Sequence, residues 1–137
     1  MEQYQDTRYI NTDLCLCSTI DLTPLADAIT TENLLCLGVH RSDDGFYNVA
    51  FEAFNTSGNY ATPEESINAL LDAIDTLPAS LKSIWQTCEQ RTLDIGYNSG
   101  TSPNEISNTI STHNLGRMHA LRIDMKITVY RALALQE

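Results

Sequence analysis

Basic residues are scarce in this chain of 137 residues: eight Lys and Arg stand against eighteen Asp and Glu, for a net charge of −10. Residues 1–68 carry most of the deficit, with two basic and eleven acidic residues, whereas residues 69–137 carry six and seven. A field of this sign repels phosphate backbones, and no basic stripe interleaved with aromatic residues offsets it. We therefore expect no nucleic-acid partner, and the charge favours a basic protein as the partner.

Long hydrophobic runs are also missing. The longest unbroken one, Leu34 to Val39, is far too short to span a bilayer, so we expect no membrane association. The first six residues are polar and acidic, without the basic start or apolar stretch of a signal peptide, which predicts a cytoplasmic location. Four cysteines would allow two disulfides, but in that compartment we expect four reduced thiols.

Motifs that carry chemistry are absent as well. The six glycines are scattered, and none forms a phosphate-binding loop or a dinucleotide fingerprint. There is no nucleophile elbow and no helical pair of histidines, and Asp43-Asp44-Gly45 lacks the spaced ligands of a calcium loop. The sequence thus predicts no catalytic residue, no metal and no cofactor.

Turning to what is present, the chain has the length of a single α/β domain spanning residues 1–137. Alternating apolar residues predict strands, each with one apolar face, from Tyr9 to Ser18 (Ile10, Leu14, Leu16), Phe46 to Phe54 (Tyr47, Val49, Phe51), Arg91 to Tyr97 (Leu93, Ile95, Tyr97) and Ile123 to Val129 (Ile123, Met125, Ile127, Val129). The run Leu34 to Val39 predicts one more strand, and Asp44-Gly45 predicts a hairpin turn after it.

Apolar stripes at helical spacing predict the helices. One stripe begins at Leu22, and a second follows the N-cap signature Thr62-Pro63-Glu64-Glu65 and continues to Ile74. Pro78 should end that helix near Leu77, before a new stripe containing Leu81 and Trp85. A weaker pattern predicts a last helix between Asn104 and Leu121.

The predicted order is therefore β-α-β-β-α(α)-β-α-β, an α+β fold. Its first part has the order of a ferredoxin-like β-α-β-β-α-β sandwich, extended by one helix and one strand. We expect a mixed five-stranded sheet with the helices on one face, against the apolar faces of the strands.

The segment Arg8-Tyr9-Ile10-Asn11-Thr12-Asp13-Leu14 resembles the start of the small bacterial proteins of the domain-of-unknown-function 4279 family. Further similarity to that family lies in Trp85 with Cys88, in Arg91 and Asp94-Ile95-Gly96-Tyr97, and in the ending from Leu121-Arg122-Ile123 to Ile127-Thr128-Val129-Tyr130. The resemblance implies an α/β fold and a bacterial origin. It implies no reaction, because the family has no established one.

On the predicted polar face of the sheet, Asn11, Asp13, Cys15 and Cys17 share one side of the first strand. The candidates to join them from the other strands are His40, Asn48, Glu52, Asp94, Asp124, Lys126 and Tyr130. We expect a protein-interaction module of immunity or inhibitor type, whose partner-binding residues are Asp13, Asp43, Asp44 and Glu52. The alternative is a small-molecule-binding protein or enzyme that uses Asn11, His40 and Asp94 with the Cys15 and Cys17 thiols. A half-solvated sheet face is polar in any such fold, so this grouping is also what a purely structural role predicts.

Overall fold

The computed structural model of the protein describes residues 4–29, 33–55 and 58–131. Within them, the elements follow the predicted order: β1 (Arg8–Ser18), α1 (Thr23–Ile29), β2 (Leu34–Arg41), β3 (Tyr47–Ala53), α2 (Pro63–Asp75), α3 (Ala79–Gln86), β4 (Gln90–Asn98), α4 (Thr112–Ala120) and β5 (Asp124–Tyr130).

The strands form one mixed five-stranded sheet in the order β2-β3-β1-β4-β5. The first three neighbouring pairs are antiparallel, and β4 and β5 are parallel. The predicted α+β class and mixed five-stranded sheet are confirmed. The strand order differs from that of a simple ferredoxin fold, because a fifth strand lies outside β4.

The four helices found in the described residues share one core with one face of the sheet. From the strands, the core takes side chains such as Leu14, Val49, Phe51, Leu93 and Ile95, all from the faces predicted to be apolar. From the helices, it takes residues that include Leu25, Ile29, Leu70, Ile74 and Trp85. None of these helices is both long and apolar enough to cross a membrane.

The local signals around α2 act as predicted. Thr62 caps the helix by accepting a hydrogen bond from the Glu65 amide at 3.4 Å, and Pro63 occupies the first turn. The helix ends at Asp75, and Pro78 precedes α3, because proline cannot continue the backbone hydrogen bonding of a helix.

The start of β1 differs from the prediction. The pairing of β1 with β4 shifts between Tyr9 and Asn11, which is a β-bulge, so the strict alternation is broken at Ile10. Tyr9, not Ile10, packs against the core as a result, and its hydroxyl lies 2.6 Å from the Ser66 hydroxyl of α2.

The predicted helix between Asn104 and Leu121 is too long, since residues 104–110 are irregular and α4 begins at Thr112. The start of α4 is fixed by specific hydrogen bonds. The Ser111 hydroxyl accepts from the Asn114 amide at 3.1 Å, and Glu64 on α2 accepts from the Ser111 amide at 3.2 Å. Hydrophobic periodicity cannot predict where α4 begins, because its N-cap is held by a hydrogen bond to a residue of another helix.

The prediction that the whole apolar side of β5 is buried is wrong. Ile123, just before the strand, is buried, but Met125, Ile127 and Val129 are 45%, 60% and 55% exposed. β5 is an edge strand, and α4 packs against α2, where the buried Asn114 side chain donates to Asn68 and Glu64. The helix layer therefore leaves the apolar side of β5 largely uncovered.

Candidate functional site

The face of the sheet opposite the helices, here called the open face, carries most of the residues singled out from the sequence. The strand register places these side chains on it: Leu35 and His40 from β2; Asn48, Ala50 and Glu52 from β3; Asn11, Asp13, Cys15 and Cys17 from β1; Gln90, Thr92 and Asp94 from β4; Asp124, Lys126, Thr128 and Tyr130 from β5. The predicted register is thus correct for the central strands.

Three carboxylates form a row across the middle of the open face. Asp13 on β1 lies directly opposite Glu52 on β3 and, on its other side, opposite Asp94 on β4. Directly opposed side chains on neighbouring strands are in contact range, and like charges in such positions repel. This row, Glu52-Asp13-Asp94, is named the carboxylate row below.

The two outer members of the carboxylate row have hydrogen-bond donors. The side-chain amide of Asn11 donates to Glu52 Oε1 at 3.0 Å, and the Thr128 hydroxyl donates to Asp94 Oδ1 at 2.7 Å. Sequence reasoning missed this role of Thr128, although its alternation with Ile127 and Val129 places it on the open face.

The central member has none. Oδ1 of Asp13 is buried and accepts no hydrogen bond from any described residue. Burial raises the pKa of Asp13 to about 6, and repulsion from Glu52 and then Asp94 adds to the effect. Near neutral pH the row thus holds a carboxylate to which no described residue donates a hydrogen bond and with which none forms an ion pair.

Among the described residues, no ion pair neutralises the row. Lys126 is the cross-strand neighbour of Asp94, yet both ion pairs found within 4 Å in the described part of the chain belong to Arg117 with Asp72 and Asp75. In the same part of the chain, no group of three or more His, Cys, Asp or Glu side chains is placed to hold a metal ion.

Both thiols of the open face have a raised pKa. Burial raises the pKa of Cys15, and the charges of Asp13 and Asp94 raise it further. The pKa of Cys17 is raised for the same first reason, with Glu89 and Asp44 adding to it. A nucleophilic cysteine needs a lowered pKa, so this environment opposes the thiol chemistry of the alternative hypothesis.

His40 lies on the open face but away from the other proposed ligand residues. It is opposite Asn48, which is opposite Cys17, so two strand spacings, or roughly 10 Å, separate His40 from that thiol. Asp94 is one strand further and in a different row. The structure therefore brings Asn11 close to the carboxylate row and leaves His40 at the β2 edge.

Asp43 and Asp44 lie in the exposed turn between β2 and β3, at one end of the sheet. Asp44 also has a structural role there, because its Oδ1 accepts hydrogen bonds from the Ser42 hydroxyl and, at 3.1 Å, from the Phe46 amide. These bonds lower the pKa of Asp44, so it is ionised. Its charge contributes to the raised pKa of Cys17, which places its field on the open face.

Comparison with family models, with curated proteins and with solved structures finds no match for this chain.

Proposed function

We propose that the protein is an interaction module whose open face docks a positively charged segment of a partner protein, with Asp13 at the centre of the contact. The half-buried Asp13 carboxyl carries this proposal, because no described residue donates a hydrogen bond to it and it lies between two further carboxylates. A Lys or Arg side chain from a partner would pair with the accessible part of this carboxyl and would be within reach of Glu52 and Asp94.

The electrostatic repulsion within the carboxylate row supports the same interpretation. Three carboxylates in adjacent positions, none of them in an ion pair with a described residue, destabilise the sheet through repulsion. Titratable groups with strongly shifted pKa values concentrate at functional sites, and a bound cation would relieve the repulsion. Leu35, half exposed and opposite Glu52 on the β2 edge, adds an apolar contact beside the row.

We propose a cytoplasmic protein of the domain-of-unknown-function 4279 family, on the resemblance of its opening and closing segments. We also describe β1 to β4 with α1 to α3 as a ferredoxin-like unit to which α4 and β5 are added. The split β-α-β connection of β1, α1 and β2, with β3 paired between the two strands, supports that description.

Docking is tested by comparing two variants of equal net charge. The open-face variant combines Asp13→Asn, Glu52→Gln and Asp94→Asn. The control variant combines Asp27→Asn, Glu65→Gln and Glu105→Gln, three exposed positions off the sheet. Immobilised wild type and both variants are exposed to a lysate, and retained proteins are identified by mass spectrometry.

The proposal expects basic proteins that bind the wild type and the control variant but not the open-face variant. Their affinity for the wild type should also fall as the pH drops below about 6, because protonation removes the Asp13 charge. Equal retention by both variants would show that only net charge matters, and the docking proposal would then be wrong.

A further inference from the structure

A cleft of about 330 Å³ lies away from the open face, where α3 leads into β4 and α4 leads into β5. Its lining residues are Trp85, Gln86, Arg91, Ala120, Leu121 and Arg122. Two of these six residues are cationic and none is acidic. In a chain with a net charge of −10, the cleft is a local reversal of sign.

Arg91 is held in the cleft wall by neutral groups. Its Nη1 donates to the carbonyl oxygens of Trp85 at 3.0 Å and Cys88 at 2.9 Å, and its Nε donates to that of Arg122 at 3.2 Å. Its guanidinium carbon lies 5.9 Å from the centre of the Trp85 ring. These contacts orient the side chain without a carboxylate partner, and Nη2 has no hydrogen-bond partner among the described residues. Arg91 thus presents an oriented positive charge with two N–H donors to spare.

Arg122 contributes the second cation from a strained position. Its φ of 56° lies in the left-handed region. Apart from glycines, no other described residue has a positive φ. This conformation ends α4, because the Arg122 amide donates to the His119 carbonyl oxygen at 3.0 Å and the Ile123 amide donates to the Met118 carbonyl oxygen at 2.9 Å. Glycine is the usual residue at such a helix end. An arginine there costs backbone strain and adds an exposed cationic residue to the cleft lining.

We propose that this cleft binds a small monoanionic carboxylate ligand through Arg91 and Arg122, with the apolar part of the ligand against Leu121. Guanidinium groups bind the two oxygens of a carboxylate in pairs of charge-assisted hydrogen bonds. The carbonyl oxygens of Trp85 and Arg122, two lining residues, accept from Arg91 and oppose a second negative charge, which favours a carboxylate over a phosphate dianion. The volume is at the lower end of the range of small-molecule pockets, which sets the size of the ligand.

The chain has one tryptophan, Trp85, so its indole N–H signal in a two-dimensional NMR spectrum reports directly on the cleft. The full chain is titrated with sodium benzoate, with benzamide as a neutral molecule of the same shape, and with inorganic phosphate at matched ionic strength. The proposal expects a saturable shift of the Trp85 signal with benzoate, and binding at least about tenfold weaker for the other two.

Arg122→Gly removes the charge while supplying the residue that the left-handed backbone favours, so the melting temperature should be unchanged or higher. Benzoate binding should weaken about tenfold in this variant. The same loss is expected in Arg122→Asn, because asparagine also tolerates the left-handed backbone conformation. Lys82→Gln, an exposed α3 residue outside the cleft lining, removes an equal charge and should change the affinity less than about twofold.

Three results would overturn the proposal. One is the lack of a saturable benzoate shift in the wild type. Another is an equal loss of affinity in Arg122→Gly and Lys82→Gln, which would indicate a long-range charge effect. The third is saturable binding of phosphate without binding of benzoate, which would reject the carboxylate as the ligand.

Discussion

At the scale of the residue, the Asp13 carboxyl links stability to pH. Its pKa in the folded protein, about 6, lies above the value of 3.8 for an unperturbed aspartate. The folded state therefore binds this proton more tightly than the unfolded state. The resulting stabilisation is complete below about pH 3.8 and is lost as the pH rises through about 6, so at neutral pH the charged Asp13 weakens the fold.

Asp13→Asn should relieve this penalty. We expect the free energy of unfolding in urea to rise by about 1 kcal/mol at about pH 8 and to change little at about pH 4, because Asp13 is already neutral there. The expected gain is smaller than the free energy that corresponds to the whole pKa difference of Asp13, because the carboxyl is only partly buried and solvent screens its charge. Asp27→Asn, at an exposed position of α1, should give no such difference, and an equal gain for Asp13→Asn at both pH values would contradict the assignment.

At the scale of the element, Ile95 on β4 and Ile127 on β5 are register partners on the same face of the sheet. Ile95 is 2% exposed and Ile127 is 60% exposed. Ile95→Ala should therefore lower the free energy of unfolding by about 2–5 kcal/mol, whereas Ile127→Ala should cost less than about 1 kcal/mol. Denaturant unfolding of both variants checks this, and a similar loss in both would show that β5 is covered in solution.

The same two strands show how far the sequence predicts the fold. Alternation of apolar and polar residues correctly predicts which side of β4 and β5 is apolar, because that pattern is local. Whether a helix covers that side depends on where α4 packs, and this is decided by contacts of Asn114 with Glu64 and Asn68, far away in the chain. The bulge at Ile10 is likewise invisible to a search for strict alternation.

For the candidate site, the pattern predicts the shared face but not the neighbours on it. Asp13, Glu52 and Asp94 come from three strands, and only the register places them side by side. The same register separates His40 from Asp94. The Arg91 cleft depends on carbonyl oxygens at two helix ends. Every residue has a main-chain carbonyl, so the sequence does not indicate which of them accept hydrogen bonds from Arg91.

At the scale of the whole molecule, the negative field is expected to steer a basic partner toward the open face. Association of a lysine-rich synthetic peptide, followed by stopped-flow, should slow markedly as the salt concentration passes about 0.15 M, where the screening length falls to roughly 8 Å. The dissociation rate should change much less, because steering acts on the encounter between the molecules.

Asp43 and Asp44 are exposed in the turn at the end of the sheet. Replacing them tests whether association depends on where the negative charges lie or only on the net charge. The double variant Asp43→Asn, Asp44→Asn should lower the association rate by about two- to fivefold at low salt. Its melting temperature should stay nearly unchanged, since an Asn at position 44 keeps the oxygen that accepts from Ser42 and Phe46. Asp27→Asn with Glu105→Gln removes the same charge away from this turn and from the open face, and it should slow association less. If both double variants slow the peptide equally, the acidity acts only through net charge, and solubility explains it better than docking does.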